Sequence, residues 1–193
     1  MTKTELAQKP VRVAAEEALL DAAERLLVDV GYARITTRRL AEEAGVNNGL
    51  VHYYFGSNEN LLVRALERFT EGLIARQREL YTADMPFVDK WRTAMSYLVG
   101  EDVAYEKIWL ELQALGWNDA DLRRRLAAVN AEWRAVLTAA FEEPHRRLGI
   151  DLPLEALVSL VMTFNIGIIV ERLGGVETGH AELLEWIDRW LSS

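Results

Sequence analysis

The sequence predicts an all-α fold, on three observations. Apolar residues make up 50% of the chain and recur at helical spacing along almost its whole length. Only four prolines interrupt it, and no run of alternating β-branched residues is long enough for a strand. At 193 residues the chain can form one compact body or two small joined ones. We read about nine helices, divided into an N-terminal three-helix domain over residues 1–56 and a larger helical domain over 57–193.

The first helix is expected from about Val13 to Val30, with Ala15, Leu19, Ala22, Leu26 and Val30 on one stripe. Gly31 supplies a C-terminal stop. The second begins at Thr36 or Thr37, either of which can accept a backbone N–H as N-cap. Leu40, Ala41 and Ala44 form its inner side and Gly45 ends it. Val46 packs inward, Asn47 caps the third helix, and Leu50, Val51 and Tyr54 turn toward the core. Asn48-Gly49 is also a hairpin signal, but the flanking EEAG and LVHYYF do not alternate as strands would.

Ser57 caps a fourth helix reaching about Leu80, with Glu59 suited to the dipole of its first turn. Beyond Asp84-Met85-Pro86 lie a helix carrying Phe87, Trp91, Met95 and Leu98 and another carrying Tyr105, Ile108, Trp109 and Leu112. A long helix starts near Asp119 and should end or kink at Pro144, which cannot donate the helical bond. Pro153 opens the next, which reaches about Leu173 before Gly174-Gly175, and the last spans roughly Ala181 to Leu191. The fourth helix belongs to both halves, so movement in one half should be felt in the other.

Two short helices, a tight turn and a third helix starting at once, over Gly31–Leu62, have the geometry that pushes one helix into the DNA major groove. Arg38 is expected to reach phosphate or base edges from the second helix, against the alternative that Arg38 and Arg39 pair with Glu42 and Glu43 for a few tenths of a kcal/mol. Asn47 can bond a phosphate as well as cap. Asn48 is the best base reader, because its amide can bond adenine N6 and N7 together. His52 and Tyr53 offer donors to phosphate. The formal charge of −8 sits awkwardly with this surface. Residues 1–60 carry seven Lys/Arg against nine Asp/Glu, so the contact face has to be basic only locally.

At this point the block resembles the DNA-binding region of the tetracycline-repressor (TetR) family. Gly31, Tyr32, Thr36, Leu40, Ala41, Ala44, Gly45, Val46, Gly49, Val51, Tyr54, Phe55, Ser57 and Leu61 fit its pattern, with Val51 a conservative aliphatic match. The resemblance is close over about a third of the chain and continues only as helix count, lengths and order. It implies a DNA face drawn from Thr36, Thr37, Arg38, Asn47, Asn48, Gly49, Leu50, His52, Tyr53 and Asn58. Three positions depart from the pattern. His52 stands where Tyr is usual, Asn58 replaces a phosphate-contacting Lys, and Leu50 replaces a small polar residue and could meet a thymine methyl. The resemblance also implies a homodimer on a near-palindromic operator, with half-site centres roughly 34–36 Å apart. A small effector bound in the C-terminal domain would release the DNA, giving a ligand-responsive regulator that acts as a repressor.

Trp91, Met95, Tyr105, Trp109, Trp133 and Phe164, with Gln113 and Asn165 as polar members, are expected to line the effector cavity; the plainer alternative is that the aromatics fill a core. The set is nearly neutral, which favours a largely apolar or aromatic effector. Leu160, Thr163, Gly167, Val170, Leu183, Trp186, Ile187 and Trp190 on the last two helices are expected to form the dimer seam.

With no cysteine, disulfides and thiolate-held metals are excluded, and no second ligand stands at helical spacing from His52. No metal or cofactor is expected. No stretch approaches the ~20 apolar residues of a membrane span, so the expectation is a cytoplasmic protein. An enzyme is disfavoured, since no His-Glu-x-x-His, glycine-rich phosphate loop or Gly-x-Ser-x-Gly elbow occurs. The alternative function is a protein-interaction module on the same fold without DNA binding.

Overall fold

The structure, a computed structural model, describes residues 3–192, with side chains from Val13 onward. Nine α-helices and no strand occur among the described residues. They are α1 (Lys3–Val30), α2 (Thr37–Ala44), α3 (Gly49–Phe55), α4 (Asn58–Thr82), α5 (Phe87–Ser96), α6 (Val103–Gly116), α7 (Ala120–Arg147), α8 (Leu154–Leu173) and α9 (His180–Ser192). A 3-10 turn (Tyr32–Arg34) follows α1, and a π-helical segment (Tyr97–Glu101) joins α5 to α6.

The punctuation residues act as expected. Gly31 leaves α1 at φ 75°, where a Cβ would be strained. Asp119 caps α7 by accepting the N–H groups of Asp121 and Leu122, and Pro153 precedes α8. Two boundaries differ. Helix α1 begins about ten residues ahead of the expected start. Helix α7 runs past Pro144 to Arg147, because a proline this close to a helix end forfeits one bond while the following turn still closes, with the Leu148 N–H on the Pro144 carbonyl at 2.9 Å.

The chain packs as two units that do not divide at residue 56. One comprises the chain up to Glu71 together with Ile108–Leu122; the other comprises Gly72–Lys107 and the chain from Arg123. The first is built on Leu19, Ala22, Ala23 and Leu26 of α1, Leu40 of α2, Val51 of α3 and Leu61, Leu62 and Leu66 of α4, all buried. Arg68 binds three acids of α1 at once, Glu17 and Glu24 at 2.7 Å and Asp21 at 2.6 Å. These hydrogen bonds, Glu24's foremost, hold the guanidinium firmly protonated.

In the second unit Leu137, Phe141, Leu157 and Val158 form a buried cluster. Phe87 packs edge-on against Phe141 at 5.1 Å and stacks on Tyr81, whose hydroxyl burial pushes up to about 12. Helix α8 corrects the expectation about membrane spans: at 20 residues and a mean hydropathy of 1.8 it is long and apolar enough to cross a bilayer. Its inner residues Leu157, Val158, Ile168 and Ile169 are buried while Leu160, Ile166 and Val170 are exposed.

At the π segment the Asp102 N–H bonds the Tyr97 carbonyl five residues back, which absorbs an extra residue without ending the helix. Arg76 of α4 lies 3.9 Å over the Tyr97 ring and pairs with Asp102 and, at 3.6 Å, Glu101. Glu106, half-buried, is pushed up to about 7 by burial and then by the charge of Asp102. The folded state therefore binds this proton more tightly than the unfolded chain does. Its contribution is favourable below pH 4.5 and is lost as pH rises toward 7. Glu106→Gln is expected to raise stability above neutrality by up to about 3 kcal/mol, with the gain shrinking in mild acid. Urea denaturation of both proteins across this range checks it, and an equal gain at every pH would refute the assignment.

Candidate nucleic-acid interface

The site is made by how the chain leaves one helix and enters the next. Thr36 is extended, and its hydroxyl accepts the Arg39 N–H at 3.2 Å, so Thr36 rather than Thr37 is the cap of α2. At the other end Gly45 takes φ 67°. Its N–H bonds Glu42 while that of Val46 bonds Ala41 at 3.0 Å, a Schellman closure that satisfies two orphan carbonyls. Asn47 then accepts the Gly49 N–H at 2.8 Å, closing the entry to α3. A Cβ on Gly49 would meet the Asn47 side-chain oxygen at 3.3 Å, so glycine lets that cap seat.

Within α3, Val51 is fully buried and Leu50, Tyr54 and Phe55 are half-buried. Tyr54 packs edge-on to both Tyr53 and Phe55. The opposite face presents Asn48, Gly49, His52 and Tyr53, all exposed, with Tyr53 at 67%. The His52 ring bonds the Gly56 carbonyl through Nδ1 at 3.1 Å. Asn47, Asn48, Gly49, His52, Tyr53, Thr36 and Arg38 are thus exposed on adjoining elements, whereas Thr37 is half-buried. Arg38 pairs with Glu42 at 3.3 Å, its side chain 84% exposed. Glu43 turns instead to Arg25 of α1 at 2.9 Å, leaving Arg39 exposed.

Asn58, expected on the DNA face, bonds within the head. Its amide donates to the Ile35 carbonyl at 3.4 Å and its Oδ1 is buried without a partner. The shorter amide is engaged by the head's own backbone instead of reaching outward as a lysine would. On the same unit the Tyr32 N–H donates to Glu111 of α6 at 3.0 Å, a contact sequence reasoning missed. Glu17, Asp21 and Glu24 did share a readable stripe on α1, but nothing along the chain designated Arg68 as their partner.

Two of the expected effector residues line one cleft. Trp91 and Met95 floor a cleft of ≈ 420 Å³ with Arg92, Ser96 and Val99 of α5 and its extension, and with Leu184, Glu185, Asp188 and Arg189 of α9. The cleft forms because the Trp91–Met95–Val99 ridge faces α9; Tyr105, Trp109, Gln113, Trp133, Phe164 and Asn165 lie outside its lining. Arg92 crosses the cleft to Asp188 with bonds of 2.5 and 2.8 Å. Asn165 Oδ1 is buried and unpartnered, as are Gln77 Oε1 and Asn130 Oδ1, which were not anticipated. Both of these sit in apolar periodic stripes of α4 and α7, a signal the sequence carried. Of the residues expected at a dimer seam, Leu160, Thr163, Gly167, Val170, Leu183, Trp186 and Trp190 are exposed and Ile187 is half-buried.

Residues 19–65 match the sequence profile of the "Bacterial regulatory proteins, tetR family". The HTH-type transcriptional regulator BetI of Rhizobium meliloti is 31% identical over 125 residues, 61% of this chain; the match spans 58% of that relative's length. The HTH-type transcriptional repressor AcnR of Corynebacterium efficiens is 27% identical over 193 residues, 93% of each chain. In fold, the transcriptional regulator FadR of Bacillus subtilis, solved in complex with stearoyl-CoA, superposes with a TM-score of 0.71 over 92% of this chain and 97% of its own, at 18% identity. The capped head and the profile agree: residues 19–65 resemble the helix-turn-helix head of the tetR family of bacterial regulatory proteins, and the chain as a whole is similar to transcriptional regulators of that kind.

Proposed function

We propose that this protein is a ligand-responsive repressor that binds a near-palindromic operator as a homodimer, in the cytoplasm where the chromosome lies. The observation that carries the reading is the division of α3 into a buried side at Val51 and an exposed side bearing Asn48, His52 and Tyr53. Asn48 reads a base edge; Asn47, Tyr53, Arg38 and the Thr36 turn position the head on phosphates. The dimer forms through the exposed apolar residues of α8 and α9, with Leu160 58% and Trp186 56% exposed. Such a patch on two adjoining helices marks an interaction surface, and Gly167, where an added Cβ would meet nothing within 4 Å, lets another helix approach.

The effector is a small, largely apolar or aromatic molecule. The apolar Trp91–Met95 floor and the unpartnered amide oxygens of Gln77, Asn130 and Asn165 support this reading, the last three calling for hydrogen-bond donors. A hundredfold loss of operator affinity needs a coupling of only about 2.7 kcal/mol.

A salt-dependent mobility shift on the gene's own upstream region is the direct test: retention of a near-palindromic fragment is expected, and no retention at low salt would favour the protein-interaction alternative. Asn48→Ala should cost about 1–3 kcal/mol and relax preference at one base pair in each half-site; unchanged discrimination in a binding selection would place base reading elsewhere on α3. In sedimentation equilibrium the protein should be a dimer and Trp186→Glu a monomer with weakened operator binding, whereas a wild-type monomer would end the seam assignment.

A further inference from the structure

We propose that His52 makes operator binding proton-coupled, so that affinity rises as pH falls; this rests on the operator reading above. The argument is one of hydrogen-bond chemistry. The ring faces the Gly56 carbonyl through Nδ1 at 3.1 Å, and a carbonyl oxygen can only accept. Nδ1 must therefore carry the proton, which in the neutral ring leaves Nε2 a bare lone pair. An acceptor cannot bond a phosphate oxygen. His52 gains that contact only when a second proton arrives at Nε2, which creates a donor and a positive charge together. The tyrosine usual at this position in the family would carry a hydroxyl donor at any pH near neutrality.

The surroundings leave the ring's charge to be answered by DNA. Helix α3 carries Tyr53 and Tyr54 but no acid or base besides His52. Helix α2 contributes Arg39, the Arg38–Glu42 pair, and Glu43, which is held by Arg25 of α1. On α1, Glu17, Asp21 and Glu24 are bound to Arg68, with Glu16 and Asp29 completing its described charges, and α4 begins with Glu59 in its first turn. Among the described residues the Gly56 carbonyl is the only hydrogen-bond or ion-pair partner of the His52 side chain.

The test is fluorescence anisotropy with a labelled duplex from the gene's own upstream region, titrated between about pH 6 and pH 8. Proton linkage bounds the effect at about tenfold tighter binding per pH unit for each half-site. The salt dependence should steepen in acid, by about one released counterion per half-site. His52→Tyr should flatten the pH profile, and His52→Gln should flatten it with a weaker complex. A profile that is flat in the wild type, that falls in acid, or that survives both substitutions overturns the inference while leaving operator binding intact. Falling affinity in acid would mean that Nε2 accepts from a base amino group. Absence of binding at every pH would instead remove the operator reading itself.

Discussion

A seven-residue helix has almost no stability of its own in water, because nucleation costs more than so few hydrogen bonds return. Helix α3 (Gly49–Phe55) is that short, and everything it could present to a partner depends on its being held from outside. Three constraints hold it: the Schellman closure at Gly45, the Asn47 cap, and the burial of Val51. A fourth sits at its far end, where His52 bonds the Gly56 carbonyl. Asn48 and Tyr53 on the exposed face make none of these holding bonds, whereas Asn47, Gly49 and His52 are exposed and also help to hold the helix. For His52 the consequence is chemical: its Nδ1 faces a carbonyl that can only accept, so in the neutral ring the proton sits on that nitrogen.

The same economy resolves the charge problem. An acidic head should repel a polyanion, yet most of its carboxylates are engaged by cations of the head itself. Arg68 takes three, Arg25 takes Glu43 and Arg38 takes Glu42. The pairing of Arg38 with Glu42 is between exposed side chains and worth only a few tenths of a kcal/mol, so a phosphate can compete for that guanidinium. The Arg68 bonds lie at 2.6–2.7 Å on a side chain only 23% exposed, and their work is to tie α1 to α4. The net charge of the first sixty residues therefore says little about the field at α3.

What could be read from the chain follows from how local the controlling interaction is. Thr36, Gly45, Asn47, Ser57 and Pro153 act on backbone groups within a few residues, so their spacing was enough to place helix ends. The alternation of buried Val51 with exposed Asn48 and His52 follows from helical period alone. Longer-range choices were not legible. Whether Glu43 meets Arg39 or Arg25, whether Asn58 reaches out or back to Ile35, and which ridge of α5 faces α9 are decided by tertiary packing. The π segment before Asp102 has no motif of its own, so neither the Arg76–Asp102 pair nor the raised Glu106 could be anticipated from spacing. Pro144 does not end α7, because the bond it forfeits is one among many in the long helix before it and the turn after it still closes.

Helix α8 shows why composition alone cannot choose a helix's environment. Its length and hydropathy would satisfy a bilayer, but its polar details argue for a protein neighbour. Arg134 of α7 donates to the Ser159 hydroxyl at 3.0 Å, which sets a guanidinium against the second turn of the helix, where hydrocarbon would penalise a charge by kilocalories. Thr163 returns its hydroxyl to the Ser159 carbonyl at 2.8 Å, so it leaves no donor unsatisfied against an apolar partner. Leu160 and Val170 are exposed on this helix, and an added Cβ at Gly167 between them would meet nothing within 4 Å. The exposed tryptophans of α9 add further apolar surface, and reciprocal cover by the identical pair of helices is what the proposed homodimer would supply.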